Sequence, residues 1–91
     1  MKRVMISVHG KVQGVCFRRY VLSEAKALGL TGYVSNDDNG SVIILAQGAF
    51  PAVDKLIDWC QIGSPQSSVS RVFVEEDEAN EIYLDFSVVQ S

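Results

Sequence analysis

The apolar residues of this chain switch between alternate-position spacing and a helical repeat, in an order that leaves few architectures open. Val4, Ile6 and Val8 alternate with Met5, Ser7 and His9, which predicts a strand over about residues 3–9 with one face on a core. Phe17, Val21, Ala25 and Leu28 then share one helical stripe that Gly29 closes, predicting a helix over about 18–28. A short extended run at 33–35 and the alternating SVIILAQG from Ser41 flank NDDNG, a dense turn signal, and read as a hairpin. Pro51 suits the start of a helix, and Val53, Leu56, Ile57 and Cys60 repeat at helical spacing, predicting a second helix over about 51–61.

GSPQSS at 63–68 reads as a loop, Val69 to Glu75 as a fourth strand, and Ile82, Leu84, Phe86 and Val88 as the inward positions of a fifth. The acidic run EEDEANE between them reads as a solvated turn. The order β-α-β-β-α-β with a further C-terminal strand predicts an α+β, ferredoxin-like sandwich. In it two helices cover one face of an antiparallel sheet, and Met5, Ile43 and Leu45 lie on the other face.

At 91 residues and 47% hydrophobic composition the chain has the material for one packed core, and no repeat or linker divides it, so a single domain over 1–91 is expected. A net charge of −3 argues against a nucleic-acid partner, whose phosphates call for a surplus of Lys and Arg. No run approaches the roughly 20 apolar residues of a membrane helix. Cys16 and Cys60 form no paired framework and no CxxC, which fits a reducing compartment and a cytoplasmic protein, with a monomer as the default.

Chemistry gathers between the first strand and the first helix, in GKVQGVCFRR from Gly10 to Arg19. Backbone N–H groups at a helix N-terminus are unpaired and favour an anion, and Arg18 adds a planar fork matched to two phosphate oxygens. Taken alone, Gly14 also suits an ordinary strand-to-helix turn, and Asn36 an ordinary turn residue beside DDNG. Cys16 in such a loop invites a thiolate nucleophile, but only Phe17 separates it from Arg18, too short a loop to wrap an anion between them. His9 on a strand, and the adjacent Asp37 and Asp38 in a turn, read as structural and solvated groups, and no metal-ligand spacing is present.

GKVQGVCFR at Gly10 to Arg18, followed by GYVSNDDNGSVIILAQG at Gly32 to Gly48, closely resembles the two signature segments of the acylphosphatase family. The GSP loop after the second helix fits the same layout, while Ser35 and Asn39 depart from the side chains usual there. The resemblance implies a ferredoxin-like enzyme that hydrolyses small acyl phosphates to carboxylate and inorganic phosphate, with no cofactor and no metal. It implies that Arg18 binds the phosphate and that Asn36 holds the attacking water. The loop Gln13, Gly14, Val15, Cys16 and Phe17 would cradle the phosphate through backbone N–H groups. A non-catalytic phosphate-binding or regulatory module of the same fold is the alternative, and the presence of both Arg18 and Asn36 favours the enzyme.

Overall fold

A computed structural model describes residues 1–78 and 81–89. The elements are β1 (Lys2–Lys11), α1 (Phe17–Ala27), β2 (Thr31–Asn36), β3 (Val42–Gly48), α2 (Phe50–Ile62), β4 (Ser68–Glu76) and β5 (Phe86–Val89). They form one five-stranded sheet in the order β4-β1-β3-β2-β5. Both helices fall within a residue or so of the ranges their apolar stripes predict, because the stripe decides what is buried: Phe17, Val21 and Ala25 on α1, and Val53, Leu56 and Cys60 on α2. These meet Val4, Ile6 and Val8 of β1, Val34 of β2 and Val42, Ile44 and Ala46 of β3 in one core.

β2 begins two residues before the expected run, at Thr31, because Gly32 serves a strand position that glycine statistics disfavour. Gly32 has φ +136°, and a Cβ there would overlap the carbonyl oxygen of Leu45 on β3. Only glycine lets the two backbones approach so closely. Met5 pairs with Leu45, and Leu45 with Tyr33, along the face turned away from the helices, as the alternation predicts. Leu45 is nonetheless only 1% exposed.

The last strand departs from expectation in two ways. β1 to β4 are antiparallel neighbours, but β5 pairs parallel to β2, so the sheet is mixed rather than wholly antiparallel. β4 and β5 occupy opposite edges, and the chain between them crosses from one edge to the other. β5 also starts only at Phe86, and Ile82 and Leu84 are 79% and 92% exposed instead of facing inward.

Long-range anchors explain both departures. Arg3 donates from Nε to Asp77 Oδ2 at 2.8 Å and from Nη1 to the Glu81 carbonyl oxygen, and its guanidinium lies 5.5 Å from the centre of the Tyr83 ring. Tyr83 also packs against Tyr33 at 5.8 Å between centroids, and the Gly32 N–H donates to the Asp85 carbonyl. Tyr83, of opposite parity to Ile82 and Leu84, is thus the residue that holds this segment. The run EEDEANE is accordingly not a simple solvated turn: Glu75 and Glu76 close β4, and Asp77 and Glu81 engage Arg3. Its Ala79 and Asn80 lie outside the described residues.

Candidate active site

Between β1 and α1 the chain turns through Val12 to Cys16, and its backbone follows from two left-handed residues, Gly14 at φ 72° and Cys16 at φ 60°. Left-handed residues set close together bring successive N–H groups to one side, the geometry of an anion nest. Cys16 sits at the N-cap of α1 without capping through its side chain. Among the described residues the N–H groups of Gly14, Val15, Cys16, Phe17 and Arg18 donate no hydrogen bond. The loop is fixed from below by Val12 and Phe17, each 1% exposed, with the Phe17 ring 5.5 Å from that of Trp59.

The second half of the site comes from the β2–β3 turn. Asn36 is the last residue of β2, on the same face as Val34 and hence toward the helices. Its Oδ1 is buried and has no hydrogen-bond partner among the described residues. An unpaired buried acceptor costs about 1–3 kcal/mol, so its retention calls for a reason beyond stability. Gln13 joins the halves: its Nε2 donates to the carbonyl oxygens of Asp37 and Ser41, each at 2.9 Å.

A pocket of about 540 Å³ opens between these parts. Gly14, Cys16, Phe17, Arg18 and Asn36 border it, which brings together most of the residues singled out in the sequence. Gln13 and Val15 do not border it: Gln13 acts through the turn it holds, and Val15 packs against the core. Arg19 and Leu22 of α1, Val12 and Val88 of β5 complete the wall. Arg18 is half-buried, and its Nη1 donates to the Val89 carbonyl oxygen at 3.2 Å. Helical spacing could have signalled Leu22, one turn beyond Arg18. Nothing local could have signalled Val88 or Val89, which the parallel β5 pairing brings in.

The other candidate groups stand apart. His9 lies on the face away from the helices, 2.9 Å from the Ser7 hydroxyl through Nε2 and edge-on to Phe73. The Asp37 side chain accepts from the Asp38 N–H within the exposed turn. Among the described residues no group of three or more His, Cys, Asp or Glu side chains is arranged to hold a metal ion. Both cysteines are free; Cys16 is exposed at the pocket, whereas burial pushes the Cys60 thiol up to about 12. No helix among the described residues is long and apolar enough to cross a membrane.

Known proteins bear the same pattern over the whole chain. The acylphosphatase family model matches residues 4–88. An acylphosphatase from Shewanella amazonensis is 67% identical over 91 residues, covering all of both chains, and one from Shewanella oneidensis is 57% identical over 99% of this chain and all of its own. The crystal structure of acylphosphatase from Bacillus subtilis superposes with a TM-score of 0.93 at 40% identity, covering 98% of this chain and 99% of that one.

Proposed function

The chain belongs to the acylphosphatase family and is an enzyme that hydrolyses acyl phosphates, and from that premise we propose which of its residues carry the reaction. The observation that carries the assignment is the convergence on one pocket of a guanidinium, free backbone N–H groups and a buried unpaired amide oxygen.

The substrate phosphate sits in the loop from Gln13 to Phe17, where the N–H groups of Gly14 to Phe17 face its oxygens as a nest faces an anion. Arg18 donates to the same phosphate. Among the described residues its hydrogen-bond partner is a neutral carbonyl, which leaves its positive charge for the ligand. Both sets of donors are prearranged for charge that spreads over the equatorial oxygens in the transition state.

Asn36 Oδ1 accepts a hydrogen bond from a water and aims its lone pair at phosphorus. The water oxygen forms the new P–O bond while the bridging P–O bond breaks, and the electron pair leaves on the acyl carboxylate. A carboxylate is a good enough leaving group to need no acid. Asn36 takes no proton at neutral pH. The water's proton passes to a phosphate oxygen or to bulk water, which makes the step substrate-assisted.

This chemistry asks for no metal, because Arg18 and the N–H groups supply the countercharge. The net charge of −3 and the free cysteines support a small-molecule enzyme of a reducing cytoplasm, acting as a single-domain monomer without a nucleic-acid partner. The test is phosphate release from benzoyl phosphate in the presence of EDTA. Turnover that EDTA leaves intact and that Arg18→Ala abolishes is expected. Turnover lost on chelation, or retained in full by Arg18→Ala, would overturn the assignment.

A further inference from the structure

Phosphate binding in the cradle accounts for Arg18 and the loop N–H groups but leaves a second cation at the pocket unexplained. Arg19 borders the same pocket, is exposed, and its guanidinium has no hydrogen bond or ion pair among the described residues. It stands in the first turn of α1, where the helix dipole disfavours a positive side chain and where no acidic residue offsets it. Among the described residues the pocket wall contains no carboxylate side chain. In a chain of net charge −3, two adjacent arginines at one cavity form a local field opposite to the overall charge.

The rest of the wall indicates where an acyl group goes. Leu22 lies one helical turn beyond both Arg18 and Arg19, and together with Val88 of β5 it gives the pocket an apolar strip. At about 540 Å³ the pocket has room for more than a phosphate. A short methylene chain suits the strip, and an anionic end on that chain suits Arg19.

We propose that Arg19 is a specificity residue that favours acyl phosphates whose acyl chain ends in a carboxylate. This rests on the hydrolytic reading given above and adds a substrate class to it. A carboxylate at the chain end meets a guanidinium able to take it by two parallel hydrogen bonds, whereas an alkyl end leaves Arg19 in water. Attraction of the phosphate itself by Arg19 would act on every acyl phosphate alike, since all carry the same phosphate.

Succinyl phosphate and butyryl phosphate are a matched pair, differing by a carboxylate in place of a methyl group at the chain end. The quantity to measure is the ratio of their kcat/KM values in wild type, Arg19→Met and Arg19→Lys. The ratio should favour succinyl phosphate in wild type, fall about fivefold in Arg19→Met, as the loss of a partly exposed ion pair implies, and recover in part in Arg19→Lys. Raising the ionic strength should lower the wild-type ratio as screening weakens the pair. An unchanged ratio in Arg19→Met, with both substrates still turned over, would overturn this inference and leave the hydrolytic assignment standing. Absence of turnover of both substrates by the wild-type enzyme would overturn both.

Discussion

Arg18 donates from Nη1 to the backbone carbonyl oxygen of Val89 at 3.2 Å, so a guanidinium that borders the pocket rests against the end of β5. β5 is parallel to β2, which ends in Asn36, and the two strands therefore deliver their contributions at the same end of the sheet. The guanidinium depends on residues 71 positions away in sequence. Arg18→Ala should lose both kcat and phosphate affinity. A chain ending at Ser87 keeps Arg18 but removes its support, and should chiefly raise KM for benzoyl phosphate, by about tenfold for the loss of a hydrogen bond to a charged group. Steady-state kinetics with phosphate as a competitive inhibitor separates the two effects.

Gln13 ties the cradle to the β2–β3 turn through two hydrogen bonds from one amide nitrogen. Gln13→Ala should cost about 1–2 kcal/mol of unfolding free energy and raise KM, because the two halves of the pocket lose their link. Gln13→Glu should cost more than Gln13→Ala, since a carboxylate would then face two carbonyl oxygens. Urea unfolding of the two variants ranks these costs.

The cysteines should part company under chemical attack. Exposed Cys16 should react with a thiol reagent in the folded protein, while Cys60, buried and raised from 9.0 to about 12, should react only on unfolding. The same shift sets an alkaline limit. Below pH 9 the thiol is protonated in both states and contributes nothing to a pH dependence. Between about 9 and 12 the unfolded thiol ionises while the folded one does not, so stability falls by up to about 1.4 kcal/mol per pH unit. A Cys60→Ala variant should lose that slope. Cys16→Ser should keep most activity, as the proposed attack by water implies; near-total loss would point to a covalent thiol route.

Arg3 fastens the segment that carries the chain from β4 to β5, and the Asp77 hydrogen bond raises its pKa further above an already high value. Arg3→Met should release the crossing segment and speed proteolytic cleavage between Glu76 and Phe86. Its cost in global stability should be about 1–2 kcal/mol, read by urea unfolding.

The parts of the fold that were legible in the sequence are those fixed by local pattern. The stripes Phe17, Val21, Ala25 and Val53, Leu56, Cys60 placed both helices, and the alternation about Ile6 placed β1, because burial on one face decides each. The start of β5 is not legible locally, because Ile82 and Leu84 continue the alternation that Phe86 and Val88 obey. What positions them is Tyr83 against Arg3 and Tyr33, a relation no local pattern encodes. The residues of the cradle and Asn36 were named from motif and resemblance, and the fold brings Gly14, Cys16, Phe17, Arg18 and Asn36 around one pocket. The roles of the Gln13 side chain, Val88 and Val89 stayed hidden, since each depends on which strand lies beside which.

If Asn36 is kept for holding water, as proposed, at a cost to the fold, two readings on Asn36→Ala will show it. The substitution removes a buried acceptor that has no partner among the described residues, so thermal stability should be unchanged or slightly higher. Loss of the positioning group should lower kcat on benzoyl phosphate by about 10² to 10³, with little change in KM. A variant of unaltered kcat, or one whose activity falls only in step with its stability, would exclude that role for Asn36.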